Sequence, residues 1–225
     1  MKLGVICAME QEIGLLSTHG VDRTLCGVPL AEVTFGGTET VIALSGIGKS
    51  NAAACTQMLI DRFAVDAILN IGLAGSACPL PLGGAVVIDR AVYHDFDMNI
   101  AAENAPFTTF YTPDAALQST ALAVLAELGV PHQSGTLATG DQFIADSAVK
   151  ADIVSRTGCA CVEMEGAAIA HMAQKNGVPC CLVKVLSDSA EESASDEFHA
   201  ALNMEDYLRT STGFIAAFAK ALSAE

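Results

Sequence analysis

Three almost continuous apolar runs, Leu3–Ala8, Ala67–Ile71 and Pro179–Leu186, constrain this chain more than any other feature in it. A strand with one face in water alternates polar and apolar residues, so a run without alternation belongs to a strand covered on both faces. Segments of helical length separate such runs, at 50–63, 115–128, 147–156, from Gly166 onward, and over most of 196–222. Alternating strands and helices predict an α/β sandwich around a largely buried sheet. Leu30–Phe35 and Thr40–Leu44, separated by Gly36-Gly37, read as a hairpin, which makes the sheet mixed. Further strands are expected at 84–93, 135–138 and 160–162, and one or two helical turns at Glu10–Leu16. There is no linker, internal repeat or low-complexity stretch, so one domain over residues 1–225 is expected.

The chain has 225 residues, 52% of them hydrophobic, enough for a sizeable core. Its formal charge of −15, from 26 acidic against 11 basic residues, makes nucleic acid and anionic membranes poor partners. A neutral or cationic small molecule is easier to admit. Of the eight cysteines, Cys159 and Cys161 are one residue apart and Cys180 and Cys181 are adjacent, all in apolar runs. With no C-x-x-C among them, they read as small buried hydrophobes of a reducing compartment. The N-terminal run is followed at once by Glu10 and Glu12 without a small-residue cleavage site, and no apolar run reaches the ~20 residues of a membrane span. A cytoplasmic location is expected.

The stretch Cys159–His171, CACVEMEGAAIAH, carries the strongest chemical signal. On a strand, Glu163 and Glu165 would face one way and Met164 the other. Two carboxylates at the end of a buried strand are costly unless they bind something, and an ionised carboxylate accepts well from the neighbouring hydroxyls of a vicinal diol. Met164 would offer an apolar surface to a flat ring. The competing reading is a helix N-terminus, where the dipole favours acidic residues.

Other motifs are weaker singly. Gly46-Ile-Gly-Lys-Ser50 lies between strand and helix, but Ala43 stands where a P-loop has its first glycine, so a tight turn is the simpler reading. His94-Asp95-Phe96-Asp97 has metal-ligand residue types without a spaced second histidine, and no metal site is assigned. Tyr93, Phe96, Phe107, Phe110 and Tyr111 crowd a short stretch that should not face water, which suggests a subunit interface or pocket lid. Ser187-Asp188 ends the most apolar strand, where α/β folds place ligand-binding acids, though a helix N-cap would use Asp188 equally. Phe143 and Ile144 follow Gly140-Asp141 and could sandwich a base, and Glu12 follows the first strand.

In order along the chain, Ala8-Met9-Glu10-Gln11-Glu12, Ser45-Gly46-Ile47-Gly48-Lys49, Asn70-Ile71-Gly72-Leu73-Ala74-Gly75, Tyr93-His94-Asp95-Phe96-Asp97, Gly140-Asp141-Gln142-Phe143-Ile144, Val162-Glu163-Met164-Glu165 and Leu186-Ser187-Asp188 strongly resemble the 5′-methylthioadenosine/S-adenosylhomocysteine nucleosidases of the purine nucleoside phosphorylase-like superfamily. The resemblance runs from residue 1 to about 190. It implies a three-layer α/β/α sandwich with a central mixed sheet, a homodimer, and hydrolysis of an N-glycosidic bond with no metal or organic cofactor. It also implies roles. Glu12 would be the base for the attacking water, and Glu165, beside Glu163, would grip the ribose hydroxyls with Met164 against the sugar. Asp188, placed by Ser187, would protonate the purine at N7. Phe143 and the backbone of Ile144 would hold adenine, and Met9, Ile47 and Gly75 would line the pocket.

The chain departs from the family pattern at Lys184, where an arginine is common, at Leu73, where a smaller residue is common in the glycine-rich turn Gly72–Gly75, and across 98–112 and 189–196. The last two place the 5′ group's pocket in question, with no clear capping aromatic before Phe198. A nucleoside phosphorylase on the same fold is the near rival, but it requires a cationic cradle for phosphate that the glycine-rich turns lack apart from Lys49. A non-catalytic nucleoside-binding protein is the more distant one.

Overall fold

A computed structural model describes residues 1–12, 23–202 and 205–223. Their strands, β1 Lys2–Cys7, β2 Arg23–Leu25, β3 Val28–Phe35, β4 Thr38–Leu44, β5 Ala67–Ser76, β6 Ala85–Tyr93, β7 His132–Thr139, β8 Cys161–Glu163 and β9 Cys180–Asp188, form one mixed sheet. The helices are α1 Lys49–Phe63, α2 Met98–Glu103, α3 Ala115–Glu127, α4 Ser147–Thr157, α5 Gly166–Asn176, α6 Ala194–Leu202 and α7 Glu205–Leu222. The strand order is β2-β3-β4-β1-β5-β8-β7-β6-β9, and β9 pairs back onto β5, so half of the sheet closes on itself.

Side-chain alternation explains the apolar runs. Ile6, Ile68, Val86 and Leu182 pack with Cys55 and Leu59 of α1 and Ile169 of α5. Their neighbours Val5, Leu69, Val87 and Val183 pack with Leu117 of α3 and Phe214 and Phe218 of α7. Helices therefore cover both faces, the arrangement of a three-layer α/β/α sandwich. Each fully buried aliphatic or aromatic side chain contributes ~1.5–3 kcal/mol. Asp114 and Asp146 cap α3 and α4 by accepting from backbone N–H groups two and three residues on.

Three details differ from the sequence reading. The segment Gly72–Gly75 is not a turn after a strand but part of β5, all ten residues of which are buried. β2 and α2 are short and carry no strong pattern, so the sequence does not announce them. Of the helical turns expected at Glu10–Leu16, a single 3₁₀ turn, Glu10–Glu12, is seen, and residues 13–16 lie outside the described residues.

β1 runs parallel to both β4 and β5, and β5 runs parallel to β9. Their carboxyl ends therefore converge on one edge, where α/β folds bind ligands. The β5–β9 register slips after Ala74, setting Gly75 opposite Asp188. A bulge of this kind re-aims side chains beside a site.

Candidate active site

At that edge lies a cavity of about 300 Å³. Met9, Glu12, Ile47, Gly75, Phe143, Ile144, Glu163, Met164, Glu165, Ser187 and Asp188, the residues to which the resemblance gives a place in the site, line it. They arrive from six separate parts of the chain. Among the described lining residues there is no lysine or arginine.

Glu12 is 3% exposed and is carried back toward β1 by the 3₁₀ turn. Its Oε2 accepts from the backbone N–H groups of Ala8 (2.7 Å) and Met9 (3.0 Å), and its Oε1 from that of Leu73 (3.0 Å). A methyl group on Gly72 would come within 2.7 Å of Oε1, so the glycine is there to let a carboxylate lie against the strand. Burial raises the Glu12 pKa, against the opposing pull of Lys184 and the three N–H donors. A carboxylate so poised suits a general base.

Asp188, at the end of β9, has one oxygen accepting from Ser187 Oγ (2.6 Å) and the other from the Ala190 N–H (2.9 Å). A Cβ on Gly75 would stand 2.9 Å from Oδ1 and 2.8 Å from the Ala190 methyl, which explains the second glycine. Burial raises the Asp188 pKa despite these donors, favouring a protonated acid.

The two glutamates do not behave as strand neighbours. β8 ends at Glu163, and Glu165 sits at the start of α5 with φ −132° and ψ −41°. The Glu163 carboxylate accepts from Thr139 Oγ1 (2.5 Å), from the N–H groups of Glu165 (3.0 Å) and Gly166 (2.8 Å), and faces Lys184 Nζ at 2.7 Å. The helix-terminus reading therefore describes Glu163. It lines the cavity, but protein donors occupy both of its oxygens, so a diol contact falls to Glu165. Glu165 Oε1 accepts from the Gly48 N–H at 2.7 Å. Burial, and then the neighbouring Glu163 charge, push its pKa up to about 8.

The Gly46–Ser50 segment is the entry to α1. Three of its donors are taken by acids: Gly48 N–H by Glu165, Lys49 N–H by Asp141 (2.8 Å), and Lys49 Nζ by both oxygens of Asp95 at 2.6 and 2.7 Å. Asp95 is thus a lysine partner, and Asp97 caps α2 through the Asn99 N–H. Among the described residues no three His, Cys, Asp or Glu side chains are grouped to hold a metal ion.

Sequence reasoning did not place Ala8, Gln142, Ala74 or Val162 at the cavity, because none carries a chemical signal of its own. Phe198 also lines it, from α6, in edge-to-face contact with Phe143 at 5.6 Å between ring centres. The aromatic that has no clear counterpart in the sequence before Phe198 is therefore supplied by Phe198 itself. Leu73 reaches the wall as well and holds Glu12 through its backbone.

The fold and this carboxylate-lined cavity define a member of the phosphorylase superfamily, whose sequence model matches residues 2–222. Within it, the chain belongs to the family of the 5′-methylthioadenosine/S-adenosylhomocysteine nucleosidases. It is 36% identical over 222 residues to the protein of that name from an Exiguobacterium species, covering 94% of this chain and 93% of the relative. Among solved structures, the Neisseria meningitidis nucleosidase in complex with methylthio-immucillin-A aligns with a TM-score of 0.88 and 31% identity, over 98% of this chain and 99% of that one. The futalosine hydrolase of Helicobacter pylori aligns with a TM-score of 0.86 and 33% identity, over 97% of each chain.

Proposed function

We propose that this chain, as a single nucleosidase domain, hydrolyses the N-glycosidic bond of 5′-methylthioadenosine and/or S-adenosylhomocysteine, releasing adenine and the 5′-thio-ribose. The observation that carries this reading is the set of three buried carboxylates, Glu12, Glu165 and Asp188, around one cavity that has no basic residue among its described lining. Cleavage places positive charge on the sugar and negative charge on the purine, so the site needs a carboxylate at one and a proton donor at the other. Glu12 takes a proton from the attacking water. Glu165 accepts from the ribose hydroxyls and faces the developing sugar cation, with Met164 against the ring. Asp188, oriented by Ser187, gives its proton to N7 as the base departs. Phe143 and the Ile144 backbone hold adenine, while Met9, Ile47 and Gly75 shape the walls. The scheme uses no cofactor.

Phosphorolysis on the same fold is disfavoured by charge. The α1 entry, where an anion would sit, already has the Gly48 and Lys49 N–H groups and the Lys49 ammonium bound to carboxylates, and Glu12 would repel phosphate. Adenine release from methylthioadenosine is measured with and without phosphate. The expected rate is the same in both, and strict phosphate dependence would favour the phosphorylase.

The 5′ pocket is where relatives differ, since similar proteins carry the names of methylthioadenosine and of futalosine enzymes. Phe198 and Phe143 form an apolar aromatic wall, which favours a short thioether. Across 5′-methylthio, 5′-homocysteinyl, 5′-deoxy and unmodified adenosine and futalosine, with inosine as a base control, kcat/KM is expected to be highest for methylthioadenosine. One or two lost methylene contacts should cost ~1–3 kcal/mol. Equal values for all would show that no 5′ pocket exists, and preference for inosine over adenosine would remove the adenine assignment.

The homodimer rests on apolar exposure. Ile47, Phe96, Ile100, Phe107 and Phe143 are each between 49% and 70% exposed in the single chain. Covering such a surface with a second copy would remove at least ~1,000 Å² from water. Sedimentation at micromolar concentration is expected to give a dimer, and a fully active monomer would refute it. A cytoplasmic location is supported by eight unpaired cysteines, six of them buried. Among the described residues no helix is long and apolar enough to cross a membrane.

A further inference from the structure

Lys184 is the one lysine or arginine among the buried described residues, at 1% exposure. It stands in β9, every residue of which is buried, on the strand face it shares with Leu182 and Leu186. An ammonium in such a place persists only if its charge is answered. Its Nζ contacts Glu163 Oε2 at 2.7 Å, and Glu165 and Glu12 also act on it. Three buried carboxylates thus share one cation. Among the described residues, the thiols of Cys7 from β1 and Cys161 from β8 also act on it, and burial pushes both upward so that they stay neutral.

Glu163 is the junction of this arrangement. The oxygen that meets Lys184 also accepts from the Glu165 N–H at 3.0 Å, at the point where the chain enters α5. Through that single atom the lysine is connected to the backbone of the residue assigned to the ribose. We propose that Lys184 is a positioning residue of the hydrolytic site: clamped on Glu163, it holds the turn that carries Glu165 and sets a positive charge against Glu165 and Glu12. The inference rests on the nucleosidase reading.

The direction of the effect follows from the charges. Burial and Glu163 raise the Glu165 pKa, and Lys184 lowers it; Lys184 likewise lowers that of Glu12. Loss of the ammonium raises both. Fewer molecules then hold ionised Glu165 and Glu12 at a given pH, and the acid limb of kcat/KM moves to higher pH. Loss of the Glu163 charge does the opposite for Glu165.

The test is the pH profile of kcat/KM for adenine release by the full-length wild type, K184M, K184R and E163Q. K184M is expected to move the acid limb up by about one pH unit, a roughly tenfold loss at a fixed pH on that limb. K184R, which keeps the charge, should retain the wild-type limb, and E163Q should move it down. If K184M does not fold, K184R and E163Q decide the matter by the same two expectations. A K184M profile that keeps its position and loses only height, or an E163Q limb that does not descend, overturns the proposal. Titration of the Glu165 carboxyl by ¹³C NMR in wild type and K184R or K184M provides a readout apart from turnover. If the wild type released no adenine, the nucleosidase reading would fail, while that titration would still show whether Lys184 governs Glu165.

Discussion

Purified Glu12→Gln and Asp188→Asn variants are each expected to lose adenine-releasing turnover by ~10²–10⁴-fold or more while keeping the wild-type fold. Both changes are near isosteric. In Glu12→Gln the amide oxygen can keep the Ala8 and Met9 N–H groups, now at 2.7 and 3.0 Å, while the NH₂ replaces the oxygen that accepts from Leu73, and the side chain cannot accept a proton from water. In Asp188→Asn the amide oxygen retains the contact with the Ala190 N–H, but there is no carboxyl proton to give. In this scheme the two residues act on opposite ends of the bond, one on the water and one on the leaving base. The double variant should therefore fall little below the worse single one if the steps are coupled. Circular dichroism and thermal melts would establish that the folds are intact. Wild-type turnover in either single variant would remove that residue from the mechanism.

Glu163→Ala should cost about 3–5 kcal/mol of stability, measured by denaturant unfolding. The glutamate faces the ammonium of Lys184 and accepts from Thr139 Oγ1 and the backbone N–H groups of Glu165 and Gly166. Truncation leaves a buried cation and several donors without their partner. Most of the expected loss is thus the penalty for unpaired groups rather than the net worth of the pair. A double-mutant cycle separates the two: Lys184→Met in the Glu163→Ala background should restore part of the loss by removing the unpaired charge. Glu163→Ala within about 1 kcal/mol of wild type would mean that the ammonium finds another partner and that the pair is not a structural unit.

Much of this molecule is legible in its sequence. Near-continuous apolar runs imply strands covered on both faces, because an α/β core has no water-facing side to demand alternation. That is a local property, carried by each run alone. The order of the motifs, from Glu12 to Asp188, pointed to the family and to eleven residues that now line one cavity. What remained hidden depended on contacts between distant segments. The glycines at 72 and 75 looked like a turn, and only packing showed that they leave room for Glu12 and Asp188 against a strand. Glu163 and Glu165 looked alike on a two-residue repeat. The tertiary structure split them, giving one to Lys184 and the start of α5 and leaving the other facing the cavity. Residue pattern determines which side chains are apolar, charged or free to turn. Which buried charge answers which is decided when strands far apart in sequence come together, because desolvation makes each unpaired group too costly to leave.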